Sequence, residues 1–197
     1  MTLVIAFIGN QGAVMAGDMR EIGFGGDDSL IEDLERELYD GSITSDNELA
    51  ERADAIGVTI RVRDDKAKVS QRDGVLVGEV TETEGATISR KRLYAAKGSY
   101  AIAEIVDSRL RVVQRGGASN FVVLGNEITK KVANECIRGM WEGGTIQDAL
   151  RLVMLTMQIA ASVTASVSRT FVLVHTDTAA DIPGAIANDA QKEQKPD

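Results

Sequence analysis

The chain has 197 residues, enough for one domain or one domain carrying an insertion, and its 44% apolar but only 4% aromatic content makes the core depend on Val, Ile, Leu and Ala. A formal net charge of −8 and a pI near 4.8 exclude the basic surface that holds nucleic acid or an anionic membrane. One cysteine, Cys136, and one histidine, His175, exclude an internal disulfide framework and leave no ligand set for zinc, so no cofactor is expected.

Residues 3–8 (LVIAFI) are apolar without a break, the pattern of a strand covered on both faces. Gly9-Asn10-Gln11-Gly12 supplies turn residues and Ala13 to Gly17 a second apolar run, so the first eighteen residues read as a buried hairpin. A buried chain start is unusual, because chain ends are normally frayed and polar. Leu3 to Ile8 has no basic region before it and is too short for a signal peptide, and no window reaches a membrane span; a cytoplasmic protein is expected.

A glycine-rich acidic stretch, 23–28, leads into a predicted helix at Ser29, with Glu32 three residues on and Leu30, Ile31, Leu34 and Leu38 at helical spacing; Gly41 ends it. A second helix is predicted from Asp46 to Ile56, closed by Gly57. Both are charged and read as peripheral cover. From 57 to 124 the pattern is β, with short strands through Val58-Ile60-Val62, Val75-Leu76-Val77, Leu93 to Ala96, Tyr100 to Val106 and Phe121 to Leu124. A helix then starts near Glu127 and runs to about Trp141, where Cys136 reads as a small core residue. Thr145 to Asp148 opens a long apolar helix through Leu150, Val153, Met157 and Ala160. Residues 170–176 form the last predicted strand, which makes His175 a strand end. The stretch 178–197, with both prolines, reads as a disordered tail. Strands apolar on both faces belong where a sheet meets another sheet on one side and helices on the other. The predicted fold is therefore α+β, a four-layer αββα sandwich over 1–177.

The buried hairpin gives Thr2 its interest. Met1 before a small residue suits removal by an aminopeptidase, and the hairpin returns Asp18-Met19-Arg20 beside the new terminus. An α-amine with an ordinary pKa of about 7.7–8.0 can act as base for its own threonine hydroxyl once neighbouring cations lower it further.

The segment from Thr2 to Arg20, with its glycine turn and Ala16-Gly17-Asp18-Met19-Arg20, resembles the start of mature proteasome β subunits, members of the N-terminal nucleophile hydrolase superfamily. Phe121 to Asn126, the following helix pair, Ser166-Val167-Ser168 and the closing strand are similar too. The opening Met-Thr-Leu-Val-Ile-Ala-Phe-Ile-Gly with Ala-Val-Met-Ala-Gly-Asp-Met-Arg-Glu-Ile is more similar still to the connectases, proteasome-related proteins of methanogenic archaea. That resemblance implies a transpeptidase. Thr2 attacks the Asp-Pro bond of a Lys-Asp-Pro-Gly-Ala motif, forms an ester and passes the acyl group to an incoming Pro-Gly-Ala amine. The implied partner is a protein carrying that motif, the A-type component of the methanogenic methyltransferase complex.

The resemblance also implies a catalytic set around Thr2: Asp18, Arg20 and a lysine on a later strand. With 27–85 taken as a charged insertion, Arg90-Lys91-Arg92-Leu93-Tyr94 opens that strand, and Lys91 is the expected cation, with Arg92 and Arg20 as rivals. Asn126 and Ser168 are the expected substrate-binding residues, and residues 27–85 are expected to build a groove for the motif peptide. Asp181-Ile182-Pro183-Gly184-Ala185 is a near echo of the motif, interrupted by Ile182. Two alternatives stand beside ligation: a hydrolysing N-terminal threonine peptidase or amidohydrolase, and a non-catalytic scaffold.

Overall fold

The computed structural model describes residues 3–84 and 87–194; Thr2 lies outside them. The chain opens with β1 (Leu3–Ile8) and β2 (Ala13–Asp18), every residue of which is buried. It then leaves the main body through β3 (Glu21–Gly25), α1 (Asp28–Asp40), α2 (Asp46–Ile56) and β4 (Thr59–Arg63). The return runs through β5 (Val69–Arg72), β6 (Val75–Glu84), β7 (Thr87–Ala96), β8 (Ser99–Val106) and β9 (Arg109–Gly117). After these come β10 (Asn120–Gly125), α3 (Glu127–Met140), α4 (Ile146–Val163), β11 (Phe171–Thr176) and α5 (Ile182–Glu193).

Three antiparallel sheets result, ordered β10-β1-β2-β11, β3-β4 and β5-β6-β7-β8-β9. The continuous apolar runs of β1 and β2 are explained by what covers their two faces. Val4, Ala6, Ile8, Ala13 and Met15 meet Val69, Leu76, Val80 and Leu93 of the five-stranded sheet. Leu3, Ile5, Phe7, Val14 and Ala16 meet Ala133 of α3 and Val153, Met157 and Ala160 of α4. Both helices are started by caps legible in the residues. Asn126 accepts from the Thr129 N–H, and Thr145 with Asp148 forms a reciprocal capping box.

The expected four-layer αββα sandwich is corrected by this arrangement, a distinct one of three antiparallel sheets with five helices. From Val75 to Gly125 the sequence keeps the two-residue period of strands, so it has no helix pair with which to build a second outer layer. The single helix α5 covers the outer face of the five-stranded sheet, burying Ile182 and Ile186 against Val75, Val77, Tyr94 and Ala101. The tail expected to be disordered supplies that helix, and the echo at Asp181–Ala185 is its first turn, with Asp181 accepting from the Gly184 N–H at 3.0 Å.

The stretch expected as an insertion divides in two. Residues 21–63 form an excursion with its own sheet and its own core of Leu34, Leu38, Ile43, Leu49 and Ala53. Its base is closed by the Lys66 N–H donating to Met19 O at 3.1 Å. Residues 69–84 are strands of the main body. The excursion carries twelve carboxylates against four arginines, a net −8 that accounts for the charge of the whole chain. Among the described residues no helix is long and apolar enough to cross a membrane.

Candidate functional site

The two stacked sheets come closest near the start of β1, and glycine permits it. A Cβ on Gly17 would stand 2.8 Å from Val69 Cγ1, and one on Gly78 would stand 2.7 Å from Met15 Sδ. Neither position has room for a side chain. The close approach brings the end of β2 against the chain entering β5.

Asp18 stands there, fully buried at 0% exposure. Its Oδ1 accepts the Leu3 N–H and its Oδ2 the Arg20 N–H, both at 2.9 Å. Lys68 Nζ donates to both carboxylate oxygens at 3.1 Å and also to Arg20 O. The Lys68 side chain is 9% exposed. Burial pulls its pKa below the ordinary lysine range, opposed by the charge and hydrogen bonding of Asp18. A buried carboxylate, a buried ammonium and the backbone amide of Leu3 therefore meet at one point.

Lys68 is the residue that sequence reasoning missed. It is 50 positions from Asp18, on the far side of the excursion. The available signal was Lys66-Ala67-Lys68-Val69 at a strand start, hidden when the insertion was extended to residue 85. The expected cation Lys91 lies on β7 in register with Val80 and Glu104. Its rival Arg92 is committed to the tail helix, donating to Asp189 Oδ2 at 2.9 Å, to Glu193 Oε1 at 2.8 Å and to Glu79 Oε2 at 2.6 Å. Arg20 belongs to the site through its backbone, while its guanidinium turns to Asp46, Asp64 and Ala165 O. Hydrogen bonding to Asp64 holds it above the usual arginine range against the cost of burial.

Ser168 and Asn126 are both buried. Ser168 Oγ accepts the Met19 N–H at 2.8 Å and donates to Thr170 O at 2.5 Å, fixing the turn after Asp18 to the loop before β11. Asn126 caps α3 and donates from Nδ2 to Ser166 Oγ at 3.0 Å, which in turn lies 3.0 Å from Thr164 Oγ1. Leu3 pairs in register with Gly125, so Asn126 lies immediately beyond that rung. His175 is exposed on β11, and burial raises the Cys136 thiol on α3. Among the described residues no group of His, Cys, Asp and Glu is placed to hold a metal ion.

Two open grooves flank this point. One, of about 710 Å³, is lined by Arg20, Glu21, Tyr39, Lys68, Ser70 and Arg92. The other, of about 920 Å³, is lined by Arg20, Asp46, Asp64, Ala165, Arg169 and Thr170. Arg20 is common to both.

The family model described as connectase MJ0548-like, N-terminal domain, matches residues 1–191. Among solved structures, the chain is similar to an Anbu (Gly-1) mutant from Hyphomicrobium sp. strain MC1 at 11% identity and a TM-score of 0.46, covering 98% of this chain and 93% of that one. It is similar to Anbu, the ancestral beta-subunit, from Yersinia bercovieri at 11% identity and a TM-score of 0.42, covering 97% and 92%. A chain of the helical assembly of the Anbu complex from Pseudomonas aeruginosa gives 13% identity and 0.40, again covering 97% and 92%. No curated protein matches.

Proposed function

The chain belongs to the connectase family, and on that premise we propose that it is a sequence-specific protein ligase of the cytoplasm whose nucleophile is Thr2, freed by loss of Met1. The observation that carries this reading is the buried Asp18–Lys68 pair at the Leu3 amide. A threonine amine can take the proton of its own hydroxyl only if it is neutral near pH 7, and a nearby ammonium lowers its pKa by charge repulsion. Lys68 supplies that ammonium, and Asp18 holds it in place.

In the proposed reaction the Thr2 Oγ attacks the carbonyl carbon of the Asp-Pro bond in a Lys-Asp-Pro-Gly-Ala motif, and its proton passes to the α-amine. The C–N bond breaks, the proline nitrogen takes the proton and leaves with its fragment, and an ester remains on Thr2. The amine of an incoming Pro-Gly-Ala segment attacks the ester and regenerates the threonine hydroxyl. Breaking and remaking the same kind of bond is nearly isoenergetic, so the exchange runs both ways. Two grooves meeting at Arg20 suit a reaction with a donor and an acceptor peptide, each of which must be held while water is kept out. The A-type component of the methyltransferase complex is the proposed protein substrate.

Incubating a motif peptide with an excess of a labelled Pro-Gly-Ala peptide tests this. Ligation yields the exchanged, labelled product. Accumulation of free acid instead, with no exchange, would show a hydrolase and end the ligase reading.

A further inference from the structure

We propose that Arg20 is a positioning residue, the clamp through which the excursion of residues 21–63 sets the place of the Lys68 ammonium. The inference rests on the reading of Lys68 as the activating cation.

A guanidinium has five N–H donors, and all five of Arg20 are engaged. Nε donates to Asp64 Oδ1 at 2.9 Å and Nη2 to Asp64 Oδ2 at 3.0 Å, a bidentate pair. Nη1 donates to Asp46 Oδ1 at 2.5 Å and to Ala165 O at 2.7 Å, and Nη2 reaches Asp46 Oδ2 at 3.2 Å. Each partner lies on a different segment. Asp46 opens α2, at the heart of the excursion. Asp64 lies just past β4 on the stretch of chain that delivers Lys68. Ala165 begins the loop that carries Ser168. Meanwhile the Arg20 backbone donates to Asp18 Oδ2 and its carbonyl accepts from Lys68 Nζ. One residue thus joins the excursion, the returning chain and the loop before β11 to both members of the buried ion pair.

The chain spends 43 residues between leaving and re-entering the main body, from Glu21 to Arg63. A long closed loop leaves its returning end free to settle in many places unless something holds it. The Arg20 fork, with the Lys66 N–H on Met19 O, is that hold. A displacement of about 1 Å of a catalytic group costs on the order of 10²-fold in rate, so a loosened clamp is felt in chemistry before it is felt in folding.

The groups that face Lys68 are Asp18 on β2, Glu21 on β3, Lys66 and Asp64 on the returning chain, Glu79 on β6, Arg92 on β7 and Glu35 across the groove on α1. The Arg20 carbonyl accepts from the charged form of Lys68 and so favours it. Loss of that acceptor makes the ammonium easier to deprotonate, and activity that needs the ammonium then falls at lower pH.

The test uses the full chain carrying Asp46→Asn and Asp64→Asn, with Glu51→Gln on the exposed side of α2 as a control. Single-turnover ester formation is followed from about pH 6 to 10 at several motif-peptide concentrations. The expected result is an acylation rate lowered by about ten-fold, unchanged half-saturation by peptide, and an alkaline limb moved to lower pH. The control should match the native protein. If the double variant melts as it is made, Asp46→Asn alone, whose side chain is 63% exposed, carries the same comparison with a smaller loss. A folded variant with native rate and native alkaline limb overturns the clamp. No ester on the native protein contradicts the proposed function itself, and the clamp with it.

Discussion

At the scale of single residues, the site turns on one ion pair taken out of water. Lys68 and Asp18 are both buried, and breaking such a pair by removing one member leaves the other uncompensated, at a cost of about 3–5 kcal/mol. Lys68→Met is therefore expected to lower unfolding stability by about 3 kcal/mol, read from the denaturant midpoint. It should also cut ester formation by about 10²-fold or more. Lys68→Met combined with Asp18→Asn should recover most of the stability and none of the activity, because the carboxylate is neutralised while the cation stays absent. Recovered activity in that double variant would remove Lys68 from the chemistry. The pH dependence follows from the same burial. Since the Lys68 pKa lies below the ordinary lysine value, the activity that depends on its charge is present at neutral pH. It is lost as pH rises through that depressed value, earlier than an exposed lysine would allow.

At the scale of elements, α5 is the part whose role the composition concealed. Ala, Asp, Gln and Lys with two prolines look like a solvated tail, yet Pro183 sits in the first turn, where a missing N–H costs nothing, and Asp181 caps it. Ile182, Ile186 and Asp189 then fall on one face. That face meets a polar cluster in which Asp189 accepts from Arg72 at 2.9 Å, Arg92 at 2.9 Å and Tyr94 at 3.0 Å. Arg92→Met is expected to cost about 2–3 kcal/mol, because it strips Asp189, Glu79 and Glu193 of a shared partner. Thermal or denaturant unfolding reads this directly. Truncation after Thr178 should expose Val75, Val77 and Tyr94 and raise aggregation seen by light scattering; a truncated chain as stable and monodisperse as the native one would return the tail to the status of a solvated appendage. Acid acts on the same helix. Burial pushes the Glu193 carboxyl up, but Arg90 and Arg92 more than offset this and leave it below the usual carboxylate range. The stability it contributes is therefore complete above the ordinary glutamate value of about 4.3 and is lost as pH falls through the lower folded value. Protection of α5 amides against hydrogen exchange should drop in that window, after correction for the intrinsic pH dependence of exchange.

At the scale of the molecule, what the residues made legible was whatever had a one-dimensional signature. The unbroken apolar runs of β1 and β2, the Gly57 stop of α2, the Asn126 and Thr145 caps and the strand at 171–176 all carry their cause within a few neighbouring positions. The start of α1 lay two residues off, because the Asp27 side chain rather than Ser29 accepts the cap bond. The limits of the excursion were not legible. A strand that leaves the body, β4, and a strand that returns to it, β5, share the same two-residue period, and only the Met19–Lys66 and Arg20–Asp64 bonds tell them apart. That ambiguity led to Lys91 as the expected cation, whereas Lys68 is the one that reaches Asp18. It also made a four-layer sandwich from strands that form three sheets. The candidate site was legible as far as Asp18, which local spacing places at the end of the hairpin, and not at its cation, which tertiary closure places. The most direct measurement is intact-protein mass spectrometry after exposure to a motif peptide, on the native chain, Thr2→Ala and Lys68→Ala. The expected result is an adduct of the acyl-donor mass on Thr2 of the native chain, labile to an added Pro-Gly-Ala amine, absent from Thr2→Ala and strongly reduced in Lys68→Ala. An adduct that persists in Thr2→Ala, or none on a native chain shown to have lost Met1, would contradict it.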